Sequence, residues 1–238
     1  MPTVASILAT LKSKGREQTR KIYSKHGMAP ELLYGVSVAD MKEIAKTIRG
    51  DQALACDLLS TGKMEAMYLA GLVADGAQVT GAQLTAWIEA SDQLQMITEY
   101  TIPWLATENP QARTLAKSWI KSKKEHVVAA GWSTYTGLIA TQPDDKLDLA
   151  EIEELLRHVV QKIATAPNRV RAAMNVFVIS VGSYVKPLLK QAKQAAHDIG
   201  AVEVDVGETA CKIPSAVAYI EKVEKAGRIG KKRKTMRC

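Results

Sequence analysis

Apolar residues recur every three to four positions along almost the whole chain, and this constrains the fold more than anything else in the sequence. On an α-helix that spacing gathers them into one stripe, which must be buried against another element. In one stretch Leu94, Ile97, Thr101, Ile102 and Leu105 form such a stripe. In the next Ala112, Leu115, Ala116 and Trp119 do, and then Val128, Trp132, Tyr135 and Leu138. The same reading places helices over 3–14, 16–26, 37–49, 51–61, 63–75, 80–90, 93–107, 110–122, 125–141, 147–164, 168–185, 186–198 and 214–226. Gly27, Gly50, Gly62 and Gly200 punctuate helix ends, and Ser37 with Asp40 and Thr80 with Gln83 resemble capping boxes. Pro103 lacks the N–H that would bond the carbonyl of Glu99, so the helix bends or restarts there. The VEVDV run, 202–206, alternates like a strand but stands alone, and we read it as an extended connector.

The fold class that follows is all-α. A series of 10–18-residue helices joined by short loops is either a bundle or a solenoid of stacked pairs. The recurrence of basic stripes on alternate helices favours stacked pairs. Arg113, Lys117, Lys121 and Lys124 lie at i, i+4, i+8 and i+11, with no acid on that face, and Lys186, Lys190 and Lys193 repeat the pattern. Arginine at a helix start opposes the helix dipole, so Arg169 and Arg171 point to an external anion.

Charge is unevenly spread. Residues 221–238 hold eight lysines and arginines against two glutamates, whereas the other 220 residues hold 24 against 23. The basic tail, with Lys231, Lys232, Arg233 and Lys234, reads as a flexible segment that is either a phosphate-binding arm or a solubilising end. Cys56, Cys211 and Cys238 show neither CxxC spacing nor a disulfide framework, so a reduced, cytoplasmic compartment and no metal site are expected. No apolar run approaches the roughly 20 residues that span a bilayer, and neither a GxGxxG nor a P-loop motif is present, so neither a membrane nor a nucleotide cofactor is expected.

Several segments carry a family resemblance. They are Tyr34-Gly35-Val36-Ser37-Val38-Ala39-Asp40-Met41-Lys42-Glu43-Ile44-Ala45-Lys46, Thr101-Ile102-Pro103, Trp119-Ile120 and Arg171-Ala172-Ala173-Met174-Asn175. In this order they resemble the DNA alkylation repair family of AlkD-like HEAT-repeat proteins, over nearly the whole chain. The resemblance implies a HEAT-like α-solenoid, a right-handed superhelix of stacked helix pairs. Residues 1–226 would form one domain and 227–238 a tail. It also implies a monomer that grips double-stranded DNA by its phosphate backbone in a basic concave groove. Active members remove N3- or N7-alkylated purines with a carboxylate, flanking tryptophans and an arginine, and no cofactor.

Matched residue by residue, the carboxylate of the family falls on Glu99, the adjacent tryptophan on Gln95, the arginine on Ala129 and the second tryptophan on Val176. Only the carboxylate type survives. The leading expectation is therefore DNA binding in a repair setting with glycosylase activity weak or absent. The DNA contacts expected are Arg113, Lys117, Lys121, Lys124, Arg169, Arg171, Asn175, Lys186, Lys190 and the tail cations. The alternatives are an active alkylpurine glycosylase using Glu99, or a protein-binding solenoid scaffold with a basic tail.

Overall fold

The computed structural model describes residues 2–237 and contains thirteen α-helices and no strand among them. They are α1 Val4–Lys14, α2 Glu17–Lys25, α3 Val38–Thr47, α4 Gln52–Leu59, α5 Met64–Val73, α6 Gly81–Glu89, α7 Ile102–Glu108, α8 Ala112–Ile120, α9 Glu125–Thr141, α10 Leu149–Lys162, α11 Asn168–Tyr184, α12 Leu189–Ile199 and α13 Ala216–Lys225. The thirteen helices fall on the thirteen periodic segments, because a buried stripe is a property of the local pattern. The 202–206 run is extended but pairs with nothing as a strand. Cys56 and Cys211 are thiols outside any disulfide, and Cys238 lies outside the described residues.

Packing divides the chain into two compact units. The first holds the residues up to Gln111 together with Val206–Ala210 and Arg237, and the second holds Ala112–Asp205 and Cys211–Met236. The first is built around α5, which contacts α1, α3 and α4. Glu65 is the one charge on this apolar helix and is fully buried. Its Oε1 accepts from the backbone N–H groups of Tyr34, Gly35 and Val36, at 3.0, 2.6 and 3.2 Å. Three consecutive donors converge on one oxygen because Gly35 takes φ +85°, a conformation that folds the N–H groups into a concave nest. Tyr23 donates to the carbonyl of Val36 at 2.9 Å, and burial together with the Glu65 charge pushes its hydroxyl pKa up to about 12.

The second unit is layered as helix pairs. α9 packs on α8 and on α11, and α12 packs on α10, α11 and α13. Its core contains Trp132, Tyr135, Ile152, Leu156, Phe177 and Val178. α8 and α9 cross closely at Gly131, where an added Cβ would lie 2.6 Å from the backbone nitrogen of Ile120. No single helix among the described residues is long and apolar enough to cross a membrane.

The tail is not a free arm. In the second unit, Gly230 N–H donates to the carbonyl of Ser183 at 2.9 Å and Arg233 N–H to that of Ala140 at 2.8 Å. Lys232 Nζ donates to the carbonyl of Ile139 at 2.9 Å and pairs with Asp144 at 2.8 Å. In the first unit, Arg237 donates to the carbonyls of Leu72 and Ala74, at 3.2 and 2.6 Å, and pairs with Glu108. These carbonyls belong to the ends of α9, α11 and α5, where backbone acceptors lack an intrahelical partner and the helix dipole is negative. A basic segment docks there for that reason, and the flexible arm read from composition is corrected accordingly.

Removing the buried carboxylate leaves three backbone donors without an acceptor. Glu65→Ala is expected to lower unfolding stability by about 3–5 kcal/mol, and Glu65→Gln by less, since an amide oxygen still accepts. Urea denaturation followed by circular dichroism measures both.

Candidate nucleic-acid interface

Every cation expected to touch DNA lies in the second unit. Arg113, Lys117 and Lys121 are on or just after α8, whose opposite face buries Ala112, Ala116 and Trp119. Together with Thr114 and Ser118 they line a surface cavity of about 510 Å³. Three cations and two hydroxyls in one recess form a donor set suited to phosphate oxygens.

The face is not purely basic once the chain is folded. α10 brings Asp148 and Glu151 against it. Arg113 donates to Glu151 through Nε at 2.8 Å and through Nη2 at 2.9 Å, and to Asp148 at 2.5 Å, while Lys117 pairs with Glu151. Tyr135 on α9 donates its hydroxyl to Glu151 at 2.5 Å. The Arg113 hydrogen bonds, with Lys117 and Tyr135, hold the Glu151 carboxyl down at about 2. Burial and the same carboxylate push the Tyr135 hydroxyl well above its ordinary value. Asp148 also caps α10, accepting from the backbone N–H of Glu151 at 3.1 Å. The Arg113 and Lys117 side chains remain 50% and 44% exposed, so their outer faces are open to a ligand.

The remaining cations fall into two groups. Arg169 sits at the start of α11, where its N–H donates to Glu125 Oε1 at 2.6 Å. The anion that the arginines call for is thus supplied by the chain itself. This contact sets the first turn of α11 beside that of α9, with Lys124 next to Glu125. Arg171 is half-buried, with its Nε enclosed and without a hydrogen-bond partner. Lys186 lies beyond the far end of α11, about 25 Å away at 1.5 Å per residue. There it neighbours Gly230, close to exposed Lys231, Arg233 and Lys234. Lys121, Lys186 and Lys190 are exposed and carry no ion pair among the described residues.

Asn175 does not reach a DNA surface. It is fully buried, and its Nδ2 donates to the carbonyl of Pro214 at 2.9 Å, fastening the segment before α13 to α11. The i, i+4 spacing from Arg171 is a helical repeat that says nothing about which residue faces inward.

In the first unit, Glu99 lies on a wide turn over Ile97–Thr101, where the N–H of Ile102 bonds the carbonyl of Ile97, five residues back. α7 restarts directly after it, with Pro103 in its first turn. Gln95 Nε2 stands 3.5 Å from Glu99 Oε2. Trp104 and Trp132 are buried, so neither flanks this carboxylate as an open surface. Ala129, where the arginine of the family falls, is buried in the core, and Val176, where the second tryptophan falls, is 43% exposed. Among the described residues no group of three or more His, Cys, Asp or Glu is placed to hold a metal ion.

Three residues escape a reading by periodicity, though each carries a signal. Glu65 is a lone acid in an apolar helix and demands buried donors. Glu151 lies in the first turn of α10 and reads locally as a dipole partner, although it also reaches α8. Tyr100 is an aromatic off the buried stripe.

Comparison with known proteins agrees with this geometry. Residues 7–200 match the family described as DNA alkylation repair enzyme. The chain is 30% identical over 225 residues to uncharacterized protein Lmo0209 of Listeria monocytogenes serovar 1/2a and to uncharacterized protein Lin0241 of Listeria innocua serovar 6a. Each alignment covers 93% of this chain and 97% of the relative. A solved structure superposes with a TM-score of 0.89 at 33% identity, covering 100% of both chains. It is described as representing a new family of proteins related to the HEAT-like repeat DNA glycosylases with affinity for branched DNA structures. The fold is accordingly HEAT-like, and the chain belongs to the DNA alkylation repair enzyme family.

Proposed function

We propose that this protein binds DNA, duplex or branched, through phosphate contacts made by the second unit, in a repair setting and with little or no glycosylase activity. The observation that carries the reading is the recess lined by Arg113, Thr114, Lys117, Ser118 and Lys121. The affinity of the solved relative for branched DNA supports the same polyanion. Glu151 and Asp148 hold Arg113 and Lys117 in place while leaving one face of each open, and Lys121 completes the recess as a mobile charge. Because phosphates carry no base identity, such a site grips many sequences alike. The site would act as a monomer, without metal or organic cofactor, in the cytoplasm.

Neutralising the recess gives the direct test. Lys117→Gln with Lys121→Gln is expected to weaken binding to all DNA sequences alike. The log–log salt slope should fall by about 0.9 for each phosphate that is no longer neutralised. Unchanged affinity and slope in fluorescence anisotropy would favour a protein-binding scaffold instead.

Glu151→Gln separates the two roles of the carboxylate. Its folded pKa lies below the ordinary value, so its stabilisation is present above about 4.5 and is lost as pH falls toward about 2. The variant should be less stable at neutral pH and lack that part of the acid-induced loss. Relieved of the competing charge, its DNA affinity should rise by about two- to fivefold.

Excision is expected to be far below that of active family members, because Gln95, Ala129 and Val176 stand where tryptophans and an arginine are needed. Assay of 7-methylguanine and 3-methyladenine release checks this. Robust release abolished by Glu99→Gln would establish the glycosylase reading.

A further inference from the structure

Tyr100 combines features that the phosphate-binding reading does not use. It is a large aromatic side chain left 49% exposed. Its ring lies against Trp104, with centroids 6.4 Å apart and planes at 56°. Trp104 is itself buried and held edge-on by buried Tyr68, at 5.6 Å and 69°. An exposed ring backed by two buried rings is oriented in advance, so a ligand stacking on it orders little more of the protein.

The wide turn over Ile97–Thr101 explains why the ring faces out. Thr101 Oγ1 donates to the carbonyl of Met96, five residues back, at 3.4 Å. The backbone bond from the N–H of Ile102 to the carbonyl of Ile97 gives the turn one residue more than an α-turn. Ile97, Thr98, Thr101 and Ile102 stay buried, while Glu99 and Tyr100 are presented side by side. Wide turns of this kind occur often at functional sites.

The neighbour of the ring decides what can stack there. The Glu99 carboxylate repels a phosphate, so this face does not suit the DNA backbone. A carboxylate and the Gln95 amide beside a π-face suit a flat, neutral heterocycle with an exocyclic amine. In a paired duplex both faces of each base are covered by its neighbours. Away from duplex ends, an unpaired nucleotide is the one that offers an open face together with an unpaired edge.

We propose that Tyr100 is a stacking platform for an unpaired nucleobase at a DNA branch point, with Glu99 and Gln95 accepting from its exocyclic amine. This rests on the DNA-binding reading above and assigns to the first unit a base contact that phosphate contacts cannot supply.

The test uses the full-length protein and three DNAs of equal length: a linear duplex, a fully paired three-way junction, and the same junction with two unpaired adenines at the branch point. Tyr100→Ala and Tyr100→Leu should each weaken binding to the third DNA by about tenfold, equivalent to about 1.4 kcal/mol. Binding to the duplex should stay within about twofold. Tyr100→Phe should bind like wild type, since it keeps the π-face, whereas Leu keeps only the bulk. With 2-aminopurine at the unpaired position, wild type and Tyr100→Phe should quench its fluorescence, and the Ala and Leu variants should not. Thermal melts confirm that each variant is folded. Equal binding of the third DNA by wild type and Tyr100→Ala, without a change in quenching, overturns the proposal and turns attention to a protein partner for this face. Equal loss on all three DNAs also overturns it. No binding of any DNA by wild type overturns the DNA reading itself.

Discussion

Trp132 and Phe177 meet edge to face with centroids 5.0 Å apart, and Tyr135 meets the same Phe177 ring at 5.9 Å. These contacts lock α9 against α11. Large rings in a close-packed layer tolerate little sliding, so the register of the two helices is fixed. Gly131, one residue before Trp132, lets α8 approach α9 within backbone contact. The basic edge of α8 is thereby held where Glu151 of α10 can reach it. The ion-pair cluster, and the recess beside it, follow from that aromatic layer.

The chain also uses its own charges at its helix ends. Glu125 closes the start of α11, and Lys232 and Arg237 close the ends of α9 and α5. The exposed cations without an ion pair among the described residues include Lys121, Lys186 and Lys190. These are the positions where a phosphate meets no internal competitor.

The positions where the resemblance places the catalytic residues of the family differ in their surroundings. Ala129 lies on the buried face of α9, where an arginine would have to be accommodated in the core. The carboxylate persists as Glu99, but its neighbours are an amide and an exposed tyrosine rather than tryptophans. A carboxylate that stabilises a sugar cation depends on groups that press the lesion against it.

By itself the sequence determined the helices, their caps and the family. Periodic burial and capping act within a few residues, and the Ser37 and Thr80 caps form as their side chains dictate. What it could not determine was which charges meet. Glu151 lies 34 residues from Lys117 and reads locally as the acidic start of a helix, yet it pairs with Arg113 and Lys117 of the basic stripe from across the layer. The tail reads as a loose polyelectrolyte, yet within the second unit its backbone and Lys232 dock on carbonyls at the ends of α9 and α11. Asn175 shares a helical repeat with Arg171, yet it is sealed inside by the segment that Pro214 belongs to. In each case the deciding term is electrostatic or steric pairing between residues far apart in the chain. Only tertiary packing brings such partners within hydrogen-bond distance.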